Sequence, residues 1–187
     1  MNLCFDARCI RPRATGVGRY AACLLDAMLG LEGEALSDRS DPSDRSEESD
    51  ISPVARRSRR WLLTALPDAP LERWAGRAGV EVHTTAADYS AHPRGELWLN
   101  FALPRLLRKT RTDLVHGPAF LIPWAPTRCA RIVTVHDLTC FSHPETYPAR
   151  FAWYMRQVIR LSARVADGII AVSEATAREL RRRTRAR

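Results

Sequence analysis

Residues 131–176 read RIVTVHDLTCFSHPETYPARFAWYMRQVIRLSARVADGIIAVSEAT, and the fold is decided in this stretch. Ile132, Val133 and Val135 form a short β-branched run, the composition of a strand buried on both faces of a parallel sheet. The run ends on His136 and Asp137. A polar loop follows. Then Phe151, Tyr154, Met155, Val158, Ile159, Leu161 and Val165 fall on one arc of a helix, with Arg150, Arg156, Arg160 and Arg164 opposite. After Ala166, Asp167 and Gly168, the run from Ile169 to Val172 predicts a second buried strand. Ser173 is placed to cap the next helix, with Glu174 in its first turn. Strand, helix, strand is a βαβ unit, so the strands are parallel and the crossover is right-handed. Groups at the carboxyl ends of such strands project into the crevice where open α/β sheets bind ligands. His136 and Asp137 are therefore candidate site residues.

The composition bounds what surrounds this unit. A chain of 187 residues, 45% of them hydrophobic, has core for one α/β domain spanning 1–187 and hardly for two. The formal charge of +8 is carried almost wholly by arginine, Lys109 being the only lysine. A basic surface attracts anionic lipid or nucleotide; nucleic acid is the weaker expectation, resting on charge alone. Cys4, Cys9, Cys23, Cys129 and Cys140 are odd in number with no CxxC pair, and no histidine stands at metal-ligand spacing. Neither a disulfide framework nor a metal site is expected, and a cytoplasmic setting fits. No stretch has the length of a membrane span, so a soluble or peripheral protein is expected.

Toward the amino terminus, Leu3, Cys4 and Phe5 predict a strand ending at Asp6, with Arg8 in the irregular loop beyond. Gly16 and Gly18 open a helix whose apolar side carries Tyr20, Leu24 and Met28. Free N–H groups at Gly16, Val17 and Gly18, with the helix dipole behind them, suit a phosphate; the alternative is a glycine start with only a capping role. Gly16, Gly18 and Ala21 also satisfy the dinucleotide spacing, but that fingerprint needs its first glycine directly after the strand. The Ser/Asp/Arg-rich tract 32–60 is too polar to bury surface and is expected to be a disordered insertion.

Further strands are predicted over 61–66, 80–84 and 113–116, with a short helix over 70–78. A helix over 96–108 must kink or restart at Pro104. His83 is expected to be a packed or edge residue, and His92 exposed. His116, like His136, ends a strand on the crevice side. The loop 119–129, with Phe120, Leu121, Ile122 and Trp124 between prolines, either shapes an acceptor pocket or covers the sheet edge. His136 either lines a site or bonds a backbone carbonyl, and Asp137 either serves the site or caps a turn. Residues 181–187 form a basic tail.

DLVHGP at 113–118, IVTVHDL at 132–138, Pro144-Glu145-x-x-Pro148, ADGIIAVSEAT at 166–176, and Asp6, Arg8 and GVGRYAACLL at 16–25 together resemble the amino-terminal domain of GT-B glycosyltransferases, in the large retaining family that includes bacterial mannosyl-, glucosyl- and rhamnosyltransferases. The resemblance implies a Rossmann-like, three-layer half of a GT-B fold with helices on both sheet faces. It implies a nucleotide sugar as donor substrate, no metal or other cofactor, and a glycan or lipid-linked acceptor. His136 and Asp137 would serve catalysis, Gly16, Val17 and Gly18 the donor diphosphate. Asp6, Arg8, His116, Phe120 and Trp124 would serve the acceptor, and Ser173 and Glu174 would face the interdomain cleft. The family's nucleotide contacts and Glu-x7-Glu motif belong to a carboxyl-terminal domain, so a truncated or split enzyme, inactive alone, is expected, or a binding module that pairs with a separate half. Trp153 among Arg156, Arg160 and Arg164 gives an expected contact with an anionic membrane at the inner face of the plasma membrane.

Overall fold

The computed structural model describes residues 1–13, 15–37, 59–88 and 94–184. Six strands form one sheet: β1 Asn2–Asp6, β2 Arg60–Ala65, β3 Val80–Thr84, β4 Leu114–Gly117, β5 Ala130–Val135 and β6 Gly168–Ala171. Every pairing is parallel and the order is β3-β2-β1-β4-β5-β6. That order reverses direction between β1 and β4, which opens a crevice at their carboxyl ends.

Period-two alternation distributes the core to both faces. Leu3, Phe5, Trp61 and Leu63 pack beneath α1 (Gly16–Ser37) and α2 (Glu72–Ala75), through Ala21, Leu25, Leu29 and Trp74. Cys4, Leu62 and Val115 face the other way, toward Leu103 and Leu107 of α4 (Leu103–Lys109) and Val158 of α6 (Ala149–Val165). Val133 and Val135 continue that side beneath Ile159 of α6 and Leu180 of α7 (Glu174–Arg183). The result is the expected three-layer, Rossmann-like α/β domain.

Several local expectations are corrected. Strand β6 lies at the sheet edge and is half-exposed, with Ile170 at 38% and Val172 just past it at 44%, so it is not a buried strand. On α6 the buried arc holds Ala152, Ser162 and Ala163 beside Val158 and Ile159, whereas Phe151 and Leu161 stand exposed. Those small side chains let the helix lie close on the sheet and turn its inward face toward them. The segment after His136 is no plain loop: α5 (Thr139–Ser142) buries Leu138, Cys140 and Phe141.

Pro104 does disturb its helix. A single turn, α3 (Arg94–Leu97), runs into a π-turn at Trp98–Ala102 before α4 restarts with the proline in its first turn. The π-turn presents Asn100, whose Oδ1 accepts from Trp124 N at 2.7 Å and Ala125 N at 3.1 Å. Loop 119–129 thereby covers the sheet: Leu121 and Ile122 are buried, and the Trp124 indole donates to Ser162 Oγ on α6 at 3.1 Å.

Residues 32–37 of the expected insertion belong to α1; its portion 38–58 lies outside the described residues, as do His92 and 185–187 of the tail. His83 sits exposed on the edge strand β3. All five cysteines are free, and burial pushes the Cys9 thiol up to about 12. No helix among the described residues is long and apolar enough to cross a membrane.

Candidate functional site

The crevice is framed from below by a buried ion pair. Strand β1 delivers Asp6 to the rim, where Oδ1 accepts from Arg8 Nε at 2.8 Å and Oδ2 from the other side of the same fork at 2.7 Å. Thr64 Oγ1, from the neighbouring strand, adds 3.1 Å to Asp6 Oδ1. Arg8 also donates to Ala87 O at 2.9 Å and lies over the Trp98 ring at 4.2 Å. Arg8 is 0% exposed and Asp6 1%. The pair is therefore neither a surface ion pair nor an open acceptor wall. It ties the end of β1 to the segment after β3 and to the π-turn.

Above it α1 starts with Thr15, whose Oγ1 accepts from Gly18 N at 3.1 Å while its carbonyl takes Arg19 N at 2.9 Å. That leaves the N–H groups of Gly16 and Val17 without a partner among the described residues, as a helix start does. The two glycines differ. A Cβ on Gly16 would meet nothing within 4 Å, whereas one on Gly18 would lie 2.6 Å from Cys9 O. Gly16 is exposed with space around it, and Gly18 is a packing requirement.

Across the crevice, Thr134 of β5 is a hub. Fully buried, its hydroxyl sits 2.9 Å from His116 Nε2 and 3.4 Å from Tyr20 Oη, and its carbonyl accepts from Phe120 N at 3.0 Å. The His136 ring stands edge-on to Tyr20, centroids 4.8 Å apart, and 5.4 Å from Phe120. Its Nε2 donates to Pro118 O at 2.7 Å, since a carbonyl can only accept. In the neutral ring Nδ1 is then an acceptor, with no partner among the described residues. Both alternatives for His136 hold at once: it bonds a backbone carbonyl and it lines the rim. Phe120 reaches the rim at φ 65°, a left-handed conformation costly for an aromatic residue.

His116 lies beneath this surface, 5% exposed and edge-on to Phe5 at 5.3 Å. Burial lowers its pKa from 6.5 to about 4. An unfolded chain protonates this ring first as pH falls, so the stability held by the neutral ring is complete above pH 6.5 and is lost on the way down to 4. The loss is expected to reach roughly 2–3 kcal/mol. Unfolding free energies from urea titrations at pH 7 and pH 4.5 should differ by that amount more in the parent than in His116→Gln.

The remaining candidates divide. Asp137 is exposed and its Oδ1 accepts from Thr139 N at 2.9 Å, a turn cap. Ser173 Oγ caps α7 by accepting from Thr176 N at 3.1 Å, Glu174 pairs with Arg178, and Thr176 Oγ1 ties the helix to His136 O at 3.1 Å. Trp124 packs against the core cluster of Leu103, Leu107 and Val158 and bonds Ser162, with no contact to His136, Tyr20 or Thr134 among the described residues. Trp153 is 63% exposed, but Arg156 donates to Cys140 O at 2.6 Å and Arg160 stacks 5.2 Å from Phe141, so two of the three arginines lean on the fold. The sequence showed Tyr20 only as part of the apolar side of its helix and gave Thr134 one signal, a lone Thr in an Ile/Val strand. Among the described residues no three His, Cys, Asp or Glu side chains gather as metal ligands.

Comparison with known proteins adds the family. A curated relative, the O-antigen chain mannosyltransferase B of Escherichia coli, is 30% identical over 89 residues, which is 48% of this chain and 21% of that protein. No solved structure matches. The family model described as Glycosyltransferase Family 4 matches residues 16–187, a span that takes in Gly16, Gly18, Tyr20, Phe120 and His136. On that match and a parallel Rossmann-like sheet, the chain belongs to glycosyltransferase family 4, as an amino-terminal domain of it.

Proposed function

We propose that this domain supplies one wall of a hexosyl-transfer site. It binds a glycan or lipid-linked acceptor and orients the sugar of a nucleotide donor, with retention and without a metal, beside a carboxyl-terminal family 4 domain that carries the nucleotide contacts. The observation that supports this reading most is the convergence of the Gly16 and Val17 N–H groups, Tyr20, Phe120 and His136 at the carboxyl ends of β1, β4 and β5. In this reading the helix start receives the diphosphate. His136, its Nε2–H engaged by Pro118, takes a sugar hydroxyl on Nδ1, and the Phe120 and Tyr20 rings fix the imidazole plane. Exposed Trp153 with Arg150 and Arg164 meets an anionic membrane that presents the acceptor.

The test measures mannosyl transfer from nucleoside-diphosphate mannose to a lipid-linked acceptor in anionic vesicles. The full chain is assayed alone and mixed with a separately expressed carboxyl-terminal family 4 domain. Product is expected only in the mixture. His136→Ala should lower kcat/KM roughly hundredfold. Trp153→Ala should lower transfer on vesicles and leave transfer to detergent-dispersed acceptor unchanged. Undiminished transfer by His136→Ala would sink the site, and equal loss in vesicles and detergent would reject the membrane face.

A further inference from the structure

The opposite end of the sheet carries a second concentration of charge that the transfer reading does not use. Two open grooves of about 760 Å³ each lie along the amino-terminal ends of the strands. One runs between the end of α4 and the approach to β5, lined by Arg105, Arg108, Arg111 and Arg128. The other runs beneath β1, β2 and β3, lined by Arg60, Lys109 and, again, Arg111. Arg111 and Thr112 belong to both, so the grooves adjoin. Six cations from three separate segments, Arg60, residues 105–111 and Arg128, thus line one continuous depression.

The counter-charge there is slight. None of Arg105, Arg108, Lys109, Arg111 and Arg128 pairs with a carboxylate among the described residues. The carboxylates present are Asp113, whose Oδ2 already accepts from Asn2 N at 2.7 Å, and Glu81. Gathering like charges raises the energy of the fold unless an anion offsets it.

The backbone adds an independent sign. Helix α4 ends with Thr112 N donating to Leu107 O at 2.9 Å and Arg111 at φ 51°. That is the helix-ending turn whose left-handed residue is ordinarily glycine. An arginine held there costs stability, and its side chain stands where the two grooves meet.

We propose that this depression is a binding site for a small soluble ligand carrying two or more phosphate groups, separate from the crevice at the other end of the strands. Each groove has the volume of a small-molecule site. Guanidinium forks match phosphate oxygens in pairs, and several of them hold a clustered anion where one would not. A single-stranded nucleic acid would need a row of exposed rings for its bases, and Phe101 is the one exposed ring among the residues of either groove.

Titration of the full chain with inorganic tripolyphosphate at physiological salt, followed by calorimetry, tests this without any transfer assay. Saturable binding is expected, weakening as salt rises. Arg111→Gly combined with Arg128→Gln should weaken it roughly tenfold or more. The charge-matched pair Arg181→Gln with Arg182→Gln, on the exposed face of α7, should stay within about twofold. Because glycine suits the left-handed turn, Arg111→Gly alone should melt at or above the parent temperature, which separates lost binding from lost folding. Equal weakening by the two charge-matched pairs, or no saturable binding, would overturn the proposal.

Discussion

Asp6→Ala is expected to lose about 3–5 kcal/mol of stability, because it leaves the Arg8 guanidinium charged, buried and without its carboxylate. The arginine cannot swing to water: it is 0% exposed, stacked on Trp98 and bonded to Ala87 O. Replacing both partners, Asp6→Leu with Arg8→Met, should recover part of the loss, since two apolar groups need no desolvation of charge. Recovery stays incomplete because the Thr64 hydroxyl and the Ala87 carbonyl lose their partners. Urea unfolding followed by circular dichroism gives the comparison. A loss under about 1 kcal/mol for Asp6→Ala would mean the pair behaves as a solvated surface bridge and does not fix the rim.

That pair also marks where the sequence stops being legible. Two residues apart at the mouth of a strand, Asp6 and Arg8 read as ordinary surface charges, because arginine is almost never fully buried without a partner and the stacking ring lies 90 positions away. The βαβ unit was readable because its cues are local: β-branched runs, a helical arc and capping residues. Its rotation about the α6 axis was not, since that depends on how closely Ala152, Ser162 and Ala163 let the helix approach the sheet. Likewise, Pro104 announced a disturbed helix, but only tertiary contact turned the disturbance into a π-turn that holds loop 119–129 through Asn100. The site follows the same pattern. The strand ends named His136, while the Thr134 hub that joins His116, Tyr20 and the Phe120 backbone is assembled from two strands, the loop after the first of them and a helix more than a hundred positions away.

Gly117→Ala should be nearly as damaging as Asp6→Ala, and it acts on the site itself. A Cβ at Gly117 would lie 1.9 Å from Leu121 O, 2.8 Å from Ile122 Cγ2 and 2.9 Å from Leu121 C, so the clash is with backbone and no side-chain rotation relieves it. The loop can yield only by breaking what anchors it: Pro118 O on His136, Phe120 N on Thr134 O, and the buried Leu121 and Ile122. A cost of about 3 kcal/mol or more is expected, beyond the usual range for an added methyl, because the obstructing atom is a carbonyl fixed from both sides. Gly16→Ala is the matched control. Nothing lies within 4 Å of its Cβ and alanine favours a helix, so it should change stability by less than about 0.5 kcal/mol. The imidazole signals of His136 report the second effect: ¹⁵N spectra should show the Nε2–H tautomer in the parent and a mixture once the Pro118 bond is displaced. If Gly117→Ala melted with Gly16→Ala and kept that tautomer, the loop would be free to shift, and the placement of Phe120 and His136 that carries the transfer reading would not be a fixed property of the fold.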